Sequence, residues 1–103
     1  MTSNDQLKKA YQKLHARVVE TINADYIIRH LFANEILSED DNYKLAFIAD
    51  RVEKAVKLMA ILHASSHQRA FIELHETLKK EEAYKFLVEV VEKLCRARGK
   101  CRT

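Results

Sequence analysis

Apolar residues recur at intervals of three and four along almost the whole chain, which is the spacing of one buried helix face. Leu7, Tyr11, Leu14 and Val18 share a face of a first predicted helix. A second is expected over 24–34, with Ile27, Ile28, Leu31 and Phe32 inward and Asn23 placed to cap its free amides. Ile36 and Leu37 form a short joint. Ser38-Glu39-Asp40-Asp41 then sets a hydroxyl three residues ahead of a carboxylate, a helix start, and the third helix should end near Ile48. Asp50-Arg51-Val52-Glu53 repeats the device, and Val52, Ala55, Val56, Met59 and Leu62 carry a fourth apolar stripe to Ala64. Ser65-Ser66 interrupts it with two hydroxyls able to cap. Phe71, Leu74 and Leu78 give a fifth helix its inward face as far as Lys79. After Glu81-Glu82, the sixth stripe is Ala83, Phe86, Leu87, Val90, Val91 and Leu94, with fraying expected past Arg98.

Every joint is only a few residues long, so neighbouring helices must fold back on each other. The expectation is an all-α chain, a compact antiparallel six-helix bundle without internal repeats. Composition agrees. The 103 residues contain no proline, and Gly99 is the only glycine, so the usual turn and sheet-corner residues are missing from the first 98 positions. With 48% hydrophobic and 32% charged residues, one domain can bury its own core. It is expected to span 1–98, with a basic tail over 99–103.

No run approaches the roughly 18 apolar residues that span a bilayer, and Met1-Thr2-Ser3-Asn4-Asp5 lacks the basic-then-apolar order of a leader. Cys95 and Cys101 alone make no disulfide framework. These features point to a reducing, cytoplasmic setting. The net charge of +3 resides in Lys93, Arg96, Arg98, Lys100 and Arg102; without them 13 cations face 15 acids. A nucleic-acid-binding body would need a positive face of its own, so that alternative rests on the tail.

Catalytic chemistry finds no foothold: there is no Gly-rich phosphate loop, no serine elbow and no HExxH. His63 and His67 are four apart, but the Ser65-Ser66 break spoils a metal-binding helix face, so no metal or cofactor is expected. Cys95 reads as a buried residue of the last helix and Cys101 as an incidental exposed thiol. His30 and His75 should flank the core. Tyr11, Tyr26, Phe32, Phe47, Phe71 and Phe86 read as core packing rather than a stacking platform for bases.

The charges are segregated. Lys9, Lys13 and Arg17, with Lys8 beside them, form a cationic stripe opposite the first core face, and Arg51, Lys54 and Lys57 add to it from the fourth helix. Asp25, Glu35, Glu39, Asp40 and Asp41 make an acidic group around the second and third helices, interrupted by Arg29 and Lys44. Helix-end preferences alone account for about half of these charges.

The segment Tyr26-Ile27-Ile28-Arg29-His30-Leu31-Phe32, followed by Ile36-Leu37-Ser38-Glu39-Asp40-Asp41, resembles the caspase-recruitment domain of the death-fold superfamily. Arg51, Lys54, Ala55, Leu58, Met59, Ile61 and Leu62 are similar to that family's fourth helix, and Ala70-Phe71 with Leu74 and Leu78 to its fifth. The likeness covers Leu7 to Leu94. The family often has glycine before the apolar pair and between the fourth and fifth helices, where this chain has Glu35 and Ser65-Ser66.

The resemblance implies a Greek-key death fold and a non-enzymatic recruitment domain of apoptotic or innate-immune signalling. Its partners would be itself and other caspase-recruitment domains, with no small-molecule substrate and no membrane. In that family a basic surface of helices 1 and 4 docks on an acidic surface of helices 2 and 3, which maps here to Lys9, Lys13, Arg17, Arg51, Lys54 and Lys57 against Asp25, Glu35, Glu39, Asp40 and Asp41. Such a heterologous contact propagates into filaments unless it closes. Two alternatives stand beside it: nucleic-acid binding through the basic tail, and an inhibitory decoy that caps assemblies.

Overall fold

Capping chemistry sets where the helices begin. In the computed structural model, which describes residues 3–100 and side chains as far as Arg96, the order is α1 (Asn4–Lys13), α2 (His15–Thr21), α3 (Ala24–Ala33), α4 (Glu39–Ala46), α5 (Arg51–Ala64), α6 (Ala70–Lys79), a 3₁₀ turn (Glu82–Tyr84) and α7 (Lys85–Lys100). No strand occurs among the described residues. The Asn23 side chain accepts from the amides of Asp25 and Tyr26, Ser38 and Asp41 cap each other reciprocally, and Asp50 accepts from Glu53 N at 2.8 Å. These three starts are the expected ones. An unanticipated capping box, Ser3 with Gln6, starts α1.

Four expectations are corrected. The first predicted helix is two, because the chain bends at Leu14 (φ −99°, ψ 17°); the i→i−4 ladder still passes through Leu14, and α1 and α2 continue as one bent rod. The third helix stops at Ala46 rather than Ile48. In α5 the buried face is Ala55, Leu58, Met59 and Leu62, which leaves Val52 and Val56 exposed to one side. At the last helix the core takes the arc next to the expected one: Tyr84, Leu87, Val88, Val91 and Cys95 are buried, while Ala83 and Phe86 are exposed. The backbone is helical through Gly99 and Lys100.

The core runs through every rod, from Leu7, Tyr11, Val18 and Ile22 to Leu87 and Val91. α1 packs on α6 and α7, α2 on α5, α3 on α5 and α6, and α4 on α3 and α5. A radius of gyration of 13.2 Å matches the roughly 13 Å of a compact domain of about 100 residues.

Directional contacts fix how these rods are rotated. Tyr11 Oη lies 2.7 Å from His75 Nδ1, and His75 Nε2 lies 2.9 Å from Glu92 Oε2, with Tyr11 and His75 both buried. The carboxylate can only accept, so Nε2 donates to it, and in the neutral ring Nδ1 is then the acceptor for the tyrosine hydroxyl. Burial, helped by Cys95 and Glu92, pushes the phenol well above its ordinary range, so it keeps its proton. α6 has no local side-chain cap; Asn4 Oδ1 fills that role, accepting from Phe71 N at 2.7 Å and Ile72 N at 3.3 Å. Asn23 N donates to Tyr84 Oη at 2.7 Å, closing the α2–α3 corner onto the turn before α7.

α3 ends in a Schellman motif: Ile36 N donates to Leu31 O at 2.9 Å and Glu35 N to Phe32 O at 3.1 Å, with Leu31 and Ile36 both buried. The motif demands a left-handed residue, and Glu35 supplies it at φ 62°. A side chain there costs about 1–2 kcal/mol relative to glycine.

Tyr11→Phe should lower the free energy of unfolding by about 1–3 kcal/mol in urea titrations, because it strands a buried imidazole nitrogen. Asn4→Ala should cost about 1 kcal/mol, as a lost cap does. Glu35→Gly should stabilise by up to about 1 kcal/mol, since relief of the left-handed cost outweighs the added freedom of the unfolded chain.

Candidate protein-interaction surfaces

The cationic stripe is largely free. Lys13 and Arg17 on α1 and α2, and Arg51 and Lys57 on α5, are exposed and form no ion pair among the described residues. Because α2 packs on α5, the helices carrying Arg17, Arg51 and Lys57 lie side by side. Lys9 is also exposed but sits 3.6 Å from Asp5 within its own helix. A surface pair of this kind is worth about 0–1 kcal/mol and leaves the cation available.

Lys54 departs from the expected arrangement. Its ammonium lies 2.7 Å from Asp25 Oδ1, and its side chain is only 15% exposed against 73% for Asp25. One expected donor and one expected acceptor therefore meet within a single molecule, across the α3–α5 contact. Among the other acids, Glu35 and Glu39 are exposed and form no ion pair among the described residues, Asp40 holds Lys44 at 3.1 Å, and Asp41 is engaged in the α4 cap. The open acidic surface at the α3–α4 joint thus consists of Glu35 and Glu39, with Asp40 beside them.

The aromatic expectation is overturned for half its members. Tyr11 and Phe71 are buried and Tyr26 is half-buried, but Phe32, Phe47 and Phe86 are exposed, the last two at 72% and 67%. Periodicity had no means of choosing between adjacent arcs of an amphipathic helix. In α7, burial of Tyr84, Val88 and Cys95 turns Phe86 to the far side. In α4 only Leu45 is buried, and Phe47 packs edge-on against the exposed Tyr43 at 4.9 Å.

Phe32 stands on the rim of a groove of about 510 Å³ where α3, α4 and α5 meet. Ile28, Leu45 and Ala46 supply its apolar lining, while Asp25, Arg29 and Lys54 bring charge to it. Sequence reasoning missed this feature, since its wall comes from three helices; the one local signal was a run of apolar residues on α3 longer than its core face needs.

Of the histidines, His75 is buried as described, and His30 is half-buried with its ring 4.5 Å from Tyr26. His63 ends α5 beside Phe71, with its Nε2 closed off from solvent and without a hydrogen-bond partner. His67 lies beyond the helix end, where its Nδ1 accepts from Arg69 N, so His63 and His67 do not share a helix. No cluster of three or more metal-ligating side chains occurs among the described residues. No described helix is long and apolar enough to cross a membrane. Cys95 is buried, and its thiol reaches Gln6 O at 3.7 Å. Lys93 and Arg96 are exposed on α7; the side chains of Arg98, Lys100, Cys101 and Arg102 lie outside the described residues. No protein-family model, curated protein or solved structure matches this chain.

Burial lowers the His63 imidazole below its ordinary range, with Lys8 and His15 adding to the effect. A histidine with a depressed folded-state pKa binds protons more readily when unfolded, so stability is full above the usual imidazole range and declines as pH falls through it. The His63 ring should titrate below the ordinary imidazole range by proton NMR. His63→Leu should flatten the loss of thermal stability between about pH 7 and pH 5.

Proposed function

We propose that this chain is a protein-interaction domain of the caspase-recruitment type, which assembles with like helical domains through oppositely charged surfaces. The observation that carries this reading is the set of exposed, unpaired charges. Lys13 lies at the end of α1, Arg17 on α2, and Arg51 and Lys57 on α5, on which α2 packs, while Glu35 and Glu39 lie at the α3–α4 joint; none of the six forms an ion pair among the described residues. A charge with no partner in its own molecule is open to one in another. These six retain their full field, and complementary fields raise association rates and select partners.

Two features of the fold support the same reading. With α1 and α2 taken as one bent rod, the described helices make six rods, the number that the sequence likeness implies. The first rod packs on the fourth, fifth and sixth, and the second on the fifth, an interleaved order rather than a simple up-and-down bundle. The second feature is Glu35, which occupies with left-handed backbone the position where the resembled family often has glycine.

The cationic surface belongs to α1, α2 and α5 and the acidic one to the α3–α4 joint, so each copy offers two different faces. Contacts between unlike faces run head to tail and extend unless their rotation closes a ring. The Asp25–Lys54 pair lies between the two faces and contributes to neither.

The double variant Arg17→Glu/Lys57→Glu alters only exposed positions and should keep the helical circular dichroism of the parent. Its self-association in sedimentation velocity should weaken by at least about tenfold at low salt. Parent assembly should weaken as salt rises and the Debye length shortens. Association that ignores both the charge reversals and the salt would rule this reading out.

A further inference from the structure

We propose that the groove between α3, α4 and α5 is a binding site for a small aromatic monocarboxylate, a ring joined to a carboxylate through a single carbon. This inference goes beyond the assembly reading and does not rest on it, since none of Lys13, Arg17, Arg51, Lys57, Glu35 or Glu39 lines the groove.

At about 510 Å³ the groove has the size of a small-molecule site. Asp25, Arg29 and Phe32 follow one another along it at steps of four and three, so they stand in a row on one side of α3. Asn42 and Ala46 face them from α4. Ile28 and Leu45 are buried beneath, so the apolar surface open to a ligand is the Phe32 ring, 38% exposed, and the exposed Ala46 methyl. From Arg29 to Phe32 the helix advances about 4.5 Å. A ring laid on Phe32 thus sets a carboxylate one carbon away beside the guanidinium.

Charge decides the head group. Lys54 and Asp25 are spent on each other at 2.7 Å, which leaves Arg29, exposed and without an ion pair or hydrogen bond from its side chain among the described residues. One uncompensated positive charge is balanced by one negative charge. A dianion such as a phosphate ester would bring a second charge toward the largely exposed Asp25 carboxylate, one helical turn from Arg29. A guanidinium meets a carboxylate with two parallel hydrogen bonds. Across the groove the half-buried Asn42 side chain also has no hydrogen-bond partner among the described residues, and its NH₂ can donate to the same carboxylate. Two free donors from two helices and one open ring thus converge on a single kind of ligand. Asn42 and Ala46 belong to a helix with one buried side chain, so an occupant that bridges α3 and α4 stabilises the fold by mass action.

The test is a heteronuclear NMR titration of the full chain with phenylacetate, which carries both features. Shifts should concentrate at Arg29, Phe32, Asn42 and Ala46, with a Kd on the order of 1 mM, as suits so few atoms. Saturating phenylacetate should also raise the melting temperature. Acetate, which lacks the ring, and phenylacetamide, which lacks the charge, should each bind at least about tenfold more weakly. Phenyl phosphate, a dianion with the same ring, should bind more weakly than phenylacetate. Arg29→Met changes an exposed side chain with no bond to lose, so it should melt like the parent without ligand, yet bind phenylacetate at least about tenfold more weakly. Shifts that map elsewhere, equal affinity for acetate or phenylacetamide, tighter binding of phenyl phosphate, or undiminished binding by Arg29→Met would each overturn the site. None of these results bears on self-association, which sedimentation velocity reads separately.

Discussion

The hydrogen-bonded chain from Tyr11 through His75 to Glu92 decides how the two ends of this protein meet. Apolar contacts between helices are non-directional and tolerate small rotations, whereas a hydroxyl and an imidazole sealed in the core must each find a partner or cost about 1–3 kcal/mol. Only one rotation of α1, α6 and α7 brings Tyr11, His75 and Glu92 within 2.7 and 2.9 Å of one another. Asn4 capping α6 and Tyr84 receiving the Asn23 amide enforce the same alignment from either side. The sequence-distant rods are therefore the rigid ones.

α4 is held differently. It has one buried side chain, Leu45, and its polar contacts among the described residues, Ser38 with Asp41 and Asp40 with Lys44, stay within its own turn of chain. A helix with few buried contacts and only local hydrogen bonds sits at the low-stability end of a fold, where binding elements are commonly drawn from. The groove, the exposed Tyr43–Phe47 pair and the open acids Glu35 and Glu39 all border this helix. The rigid side of the molecule thus serves as a frame for a side that has surface to spare.

What could be read from the sequence was what is local. Asn23, Ser38, Asp41 and Asp50 act within three residues of themselves, so their caps were legible before any fold was known. The all-helical architecture followed from periodicity, and so did most of the core, because burial of Leu31, Leu62 or Leu74 needs only the right helix face. The misses are long-range. Asn4 caps amides 67 and 68 positions away, and Tyr11 meets His75 across 64. The Phe86 error had a nearer cause: Phe86, Leu87, Val91 and Leu94 all lie on α7 and mark one arc of it, while the core takes the adjacent arc through Leu87, Val88, Val91 and Cys95. At the surface, segregation of charge along the sequence was legible, but not the proximity of Asp25 to Lys54, since it depends on how α3 crosses α5.

That one ion pair alters what the charged surface can mean. If every predicted cation and acid were free, the molecule would carry two simple fields of opposite sign, and any like domain of similar polarity would fit. With Lys54 committed to Asp25, that charge is locally balanced and lines a groove of mixed polar and apolar surface, beside Arg29, which forms no ion pair among the described residues. A partner seated there would have to match mixed charge and shape together, a stricter demand than attraction alone. Long-range fields bring molecules together and set their rate of meeting, whereas shape and desolvation at short range decide which of them stay. In the proposed assembly, the free cations of α1, α2 and α5 serve encounter, and close fit at short range decides which partners stay.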